Sequence, residues 1–164
     1  VFCFNGSFCA HSDAQIYERT CDAKTYPFSD PSPVATPNNS YYPYFRFDGF
    51  AMQAQEKQWK MVVLENDYVK LTVTPEIGGK IWGAIDKVNN KEFVYTNGVV
   101  KFRDVAMRGP WTSGGIEFNF GIIGHAPTCS TPIDYLTKKN VDGSVRCHIF
   151  SYEWITRTVW NVEI

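Results

Sequence analysis

The hydrophobic pattern changes character twice along the chain. Residues 1–15, "VFCFNGSFCAHSDAQ", run from apolar to small and polar. Residues 25–45, "TYPFSDPSPVATPNNSYYPYF", hold five of the nine prolines together with four tyrosines and two phenylalanines. Proline removes a ladder donor, so this segment predicts neither a central strand nor a helix. Flexible linkers are poor in aromatics, so an extended arm packing its rings onto a sheet is the better expectation. From Trp59 the pattern is β. "KMVVLEND" and "YVKLTVTP" are two β-rich runs, with Glu65-Asn66-Asp67 as the turn between them. Val69, Leu71 and Val73 alternate with Lys70, Thr72 and Thr74, the period of a strand with one buried face.

Turn signals divide the remainder. Gly78-Gly79 marks a tight turn or bulge, Asn89-Asn90 a hairpin turn, and Asp142-Gly143 a strong hairpin signal. Strands are expected over 81–86, 92–95, 116–120, 145–150 and 156–164. No long segment has a 3.6-residue period, so the fold class is all-β with a few turns of helix at most. The organisation expected is 1–14 as the remnant of a signal peptide, 15–58 as an extended arm, and 59–164 as the sandwich domain. The alternative for the first residues is a buried N-terminal strand. "RTVWNVEI" stops in mid-strand, which reads as a fragment or as a short domain ending on its last strand.

Composition narrows the function classes. The chain has 164 residues, 44% hydrophobic and 16% aromatic, enough apolar surface for one folded domain. The formal net charge is −1, and no Lys/Arg run offers a footprint for nucleic acid. The N-terminal apolar stretch is too short to span a bilayer. A signal remnant implies a secreted or periplasmic protein. Five cysteines are present and no C-x-x-C, which gives zinc and thioredoxin-like readings no support. Cys129 and Cys147 are either a disulfide or two buried thiols. No spacing resembles a calcium loop, and the reading calls for no metal and no cofactor.

Two stretches carry a resemblance. "LENDYVKLTVTPEIGGKIWGAIDKVNNKEFVY" resembles the opening of a galactose-mutarotase-like domain: a strand ending in Pro, a Gly-Gly turn, then a strand leading to a short hairpin. "VVKFRDVAMRGPWTSGGIEFNFGIIGHAPT" is similar to an uncharacterised branch of that clan, found at the N-terminal side of large secreted bacterial proteins, some with tetratricopeptide repeats downstream. "YPYFRFDGF" at 42–50 resembles the lead-in of the same branch. The likeness runs from about Tyr26 to Ile164. It implies a supersandwich about twice this length, completed by a further C-terminal part of the same polypeptide, and makes this chain a partial β-sandwich, the N-terminal part of the larger one. It also implies carbohydrate, an oligosaccharide or polysaccharide, as the partner, because relatives of the fold are sugar epimerases, glycoside hydrolases and polysaccharide lyases. Fold alone does not give reaction.

The block from Arg108 to His125 holds the candidate chemistry. Sugars are held by flat rings against their C–H faces and by forked polar groups around their hydroxyls. Glu117 and His125 are the candidate catalytic residues. Arg108, Trp111, Ser113, Gly114, Gly115 and Asn119 are the candidate binding residues. On a strand over 116–120, Glu117 and Asn119 share a face, which is either the ligand side or an ordinary solvated surface. Ser113 stands where aldose epimerases carry an acid histidine, and a serine hydroxyl is not a general acid near neutral pH. Asp134 and Glu153 are candidates for the second carboxylate that a glycosidase requires. Three readings follow: a sugar-active enzyme such as a glycoside hydrolase, a non-catalytic carbohydrate-binding module, and a purely structural sandwich domain.

Overall fold

The computed structural model describes residues 13–28, 51–104, 110–120, 125–126 and 128–164. Eleven strands are seen among them, and no helix. They are β1 (Gln15–Tyr26), β2 (Gln55–Glu65), β3 (Val69–Thr74), β4 (Lys80–Asp86), β5 (Lys91–Val94), β6 (Val100–Lys101), β7 (Arg103–Asp104), β8 (Pro110–Trp111), β9 (Asp134–Lys139), β10 (Val145–Glu153) and β11 (Thr158–Glu163). A six-stranded sheet has the order β5-β4-β3-β2-β1-β6. A three-stranded sheet, β11-β10-β9, packs on it, and β7 pairs with β8. The all-β architecture expected from the pattern is what forms, as a partial β-sandwich.

The six-stranded sheet is curled, and chain length explains why. Val94 ends β5 at one edge and Val100 begins β6 at the other. Five inter-strand steps of about 4.8 Å make roughly 24 Å in a flat sheet, while six residues reach about 20 Å. Only a curled sheet brings its edges within reach. β6 closes parallel to β1, with Thr25 opposite Val100.

Strand periodicity feeds two cores from one sheet. On β2, Val62 and Leu64 face the three-stranded sheet, while Trp59 and Met61 face the opposite side. On β4, Ile81 joins the first core and Trp82 the second. The first core adds Val73, Ile133, Cys147, Ile149 and Trp160; the second adds Ile77, Val100 and Phe102. Full burial of a side chain such as Val62 or Ile149 stabilises the fold by about 1.5–3 kcal/mol.

The expected turns are in place. Glu65-Asn66-Asp67 joins β2 to β3, and Asn66 Oδ1 accepts from the Tyr68 and Val69 amides. Asn90 takes a left-handed φ of 49° between β4 and β5, as does Gly143 at 86° between β9 and β10. Residues 15–26, placed by the sequence pattern in the arm, instead form β1, paired with β2 over eleven positions from Gln15 opposite Glu65 to Thr25 opposite Gln55. Half of the arm, residues 29–50, and residues 1–12 of the signal-like stretch 1–14 lie outside the described residues. Cys129 and Cys147 are separate buried thiols, not a disulfide. No helix among the described residues is long and apolar enough to cross a membrane.

Candidate functional site

The expected strand over 116–120 is replaced by a single bridge. Ile116 pairs with Ile81 of β4 through two backbone hydrogen bonds of 3.1 and 2.8 Å, and residues 117–120 then leave the sheet. The alternation survives in part. Phe118 and Phe120 pack on the first core, and Phe120 stacks on Trp160 at 4.3 Å between ring centroids. Ile116, at the bridge itself, is 43% exposed.

Glu117 and Asn119 point to one place, the segment His125-Ala126. Glu117 Oε1 lies 2.7 Å from His125 Nδ1. Asn119 Oδ1 accepts from the buried Ala126 amide at 2.8 Å. This second bond holds His125 in a left-handed backbone, φ 58°, which a non-glycine residue rarely adopts unaided. The Glu117 side chain is 12% exposed and that of His125 is 41% exposed. The carboxylate therefore sits behind the imidazole, which meets solvent. Trp111, at the end of β8, stands edge-on to the His125 ring at 6.2 Å.

The turn before Ile116 is built on bare backbone. Gly114 and Gly115 have φ of 82° and 69°. A Cβ on Gly115 would stand 2.2 Å from the Ile81 carbonyl oxygen, so only glycine lets the chain reach the edge of β4. The Gly115 amide donates to the Tyr95 carbonyl at 2.9 Å. Ser113 Oγ accepts from Asn97 Nδ2 at 2.7 Å. Ser113 thus serves as a hydroxyl in a polar pair.

Beneath the site lies a residue that the sequence reading missed. Lys80, the first residue of β4, is 1% exposed. Its ammonium donates to Thr112 O at 2.8 Å and to Thr112 Oγ1 at 3.2 Å. Desolvation lowers its pKa below the ordinary 10.5, and the negative charge of Glu117 opposes that shift. Glu117 Oε2 is buried and accepts no hydrogen bond from the described residues. Lys80 therefore anchors the 111–115 loop and places a positive charge near the carboxylate. The signal was available: a lone lysine heads the apolar run 81–85 of β4.

Glu117, His125, Trp111 and Asn119 are brought together, with Ser113, Gly114 and Gly115 adjoining through the loop. Arg108 lies outside the described residues. Glu153 does not join them as a second carboxylate. It is buried and caps the β10–β11 turn, accepting from the Ile155 and Thr156 amides at 3.0 and 2.6 Å. Among the described residues no three His, Cys, Asp or Glu side chains form a metal-binding group. A groove of about 580 Å³ between the β2–β3 and β9–β10 hairpins, floored by Leu64, Leu71, Val145 and Ile164, shares no lining residue with the site.

Two comparisons bear on this arrangement. The chain is similar to the crystal structure of a TPR-domain containing protein from Parabacteroides distasonis ATCC 8503, with 26% identity over 85% of this chain and a TM-score of 0.76. The chain spans 24% of the length of that protein. A family model described as a domain of unknown function, DUF5107, matches residues 36–164, and the chain belongs to that family.

Proposed function

We propose that this chain supplies the carbohydrate-recognising part of a secreted, mutarotase-like protein, and that His125 and Glu117 form its acid–base pair. The observation that carries this reading is the 2.7 Å contact between Glu117 Oε1 and His125 Nδ1, set behind a half-exposed imidazole beside Trp111. In this pairing Glu117 Oε1 accepts a hydrogen bond from the Nδ1–H of His125. That fixes the tautomer and leaves Nε2 to take or give a proton. Trp111 supplies an apolar ring for a sugar face, and Asn119 braces the histidine. One carboxylate bound to a histidine suits proton transfer at a sugar hydroxyl or ring oxygen. It does not match the paired free carboxylates of a glycosidase.

Conversion of freshly dissolved α-anomers of glucose, galactose, mannose and xylose, followed by proton NMR, tests the reading. The protein should speed anomer exchange, and His125→Gln should lower that rate by about 10²-fold or more. The second reading is a binding module without turnover. It is favoured by Ser113, whose hydroxyl is paired with Asn97 where epimerases place an acid. Sugar binding with no rate enhancement would select it. Absence of both would remove carbohydrate from the account.

A further inference from the structure

We propose that Tyr95 forms a second sugar-ring subsite across the Gly114–Gly115 turn from Trp111, so that the site takes an oligosaccharide of neutral pyranose units rather than a single sugar. The proposal rests on the carbohydrate reading and deepens it.

Tyr95 follows β5 and is 68% exposed. Its backbone is fixed, because its carbonyl accepts the Gly115 amide at 2.9 Å. The near edge of its ring lies close to Gly114. A Cβ on Gly114 would stand 3.2 Å from Tyr95 Cδ1 and 3.2 Å from its carbonyl oxygen. The root of the ring thus rests near the turn while most of the residue meets water, which leaves an apolar face free to stack on a sugar.

Polar groups stand beside it. Ser113 Oγ accepts from Asn97 Nδ2 at 2.7 Å and keeps its own proton to donate, the pairing that ring hydroxyls require. Asn97 is itself held, its carbonyl accepting from Trp82 Nε1 at 3.1 Å and its Oδ1 from the Val99 amide at 3.2 Å. Trp111 is two residues from Ser113 and carries the His125 contact. Tyr95, beside Gly114, and Trp111, beside His125, thus both adjoin the 111–115 turn, with the acid–base pair at the Trp111 end.

Calorimetric titration of the protein with gluco-, xylo-, manno- and N-acetylglucosamine saccharides of one to three rings tests this. The di- and trisaccharide of the preferred series should each bind about tenfold more tightly than its monosaccharide, the gain expected of one added stacked ring. Tyr95→Ala should erase the gain and leave monosaccharide affinity unchanged, and Tyr95→Phe should keep it. A gain that persists in Tyr95→Ala, or no gain in the unaltered protein, overturns the subsite and leaves the carbohydrate reading standing. No binding of any probe overturns both.

Discussion

Asn119 Oδ1 holds the Ala126 amide at 2.8 Å, and this one bond presents the neighbouring His125 to Glu117. Ala126 is fully buried, so its N–H has no recourse to water. Asn119→Ala should lower stability by about 1–3 kcal/mol, the cost of orphaning a buried donor. Urea unfolding measures it. Unchanged stability would mean that the left-handed His125 backbone is supported by something else.

Gly115→Ala should be far more damaging than its size suggests. The new methyl would meet the Ile81 carbonyl oxygen at 2.2 Å, in a residue whose φ is already 69°. A loss of at least about 2 kcal/mol is expected, with the bridge between Ile116 and Ile81 broken. Gly98→Ala is the control: nothing lies within 4 Å of its added methyl, and its effect should stay within about 0.5 kcal/mol. Equal melting curves for the two variants would contradict the packing argument.

The hairpins were legible because their turns are written in a few residues. Asn66, Asn90 and Gly143 each do what short polar side chains or an absent Cβ allow. β1 was not legible. "QIYERTCDAKTY" has no clean alternation, and most of its positions are exposed. What makes it a strand is the eleven-position register with β2, a tertiary effect. The stretch 116–120 misled for the opposite reason. Its alternation is real, and Phe118 and Phe120 are partly buried on the first core, yet among the described residues a single bridge with Ile81 is all the pairing it makes. The residues of the site were visible by type. The pairing of Glu117 with His125 across eight positions, and the lysine beneath them, depend on how a loop returns over β4, which local pattern does not encode.

Lys80 should give stability an unusual pH dependence. Its folded pKa is lowered from 10.5, chiefly by burial. Below the lowered value both states carry the proton, and the full cost of burying the charge is present. Between the lowered value and 10.5 the unfolded chain holds a proton that the folded chain has released, so stability from this group rises with pH. Lys80→Met removes that rise. Chemical unfolding at pH 7 and about pH 10 should therefore show the native protein gaining on the variant at the higher pH. A constant difference between the two proteins would show that the lysine is not held in its buried position.

The two buried thiols should be inert while the fold persists. Burial pushes Cys129 up to about 12 and Cys147 up to about 11, from an ordinary 9.0. The thiolate is the reactive form, so little is available near pH 8. Iodoacetamide followed by peptide mass spectrometry should mark the half-exposed Cys21 before Cys129 or Cys147, which should label only after unfolding. Above about pH 9 the unfolded thiols ionise and the folded ones do not, so their contribution to stability falls there. Labelling of all three at one rate in the folded protein would contradict their burial.

The most direct test of the central claim is chemical-shift mapping of the protein by ¹⁵N-resolved NMR during titration with sugars. The account predicts that the indole N–H of Trp111 and the ring signals of His125 move first, while those of the buried Trp59 and Trp160 stay still. Movement confined to residues of the groove near Leu64 and Ile164, or no movement with any sugar, would contradict the assignment of Glu117, His125 and Trp111 as the carbohydrate site.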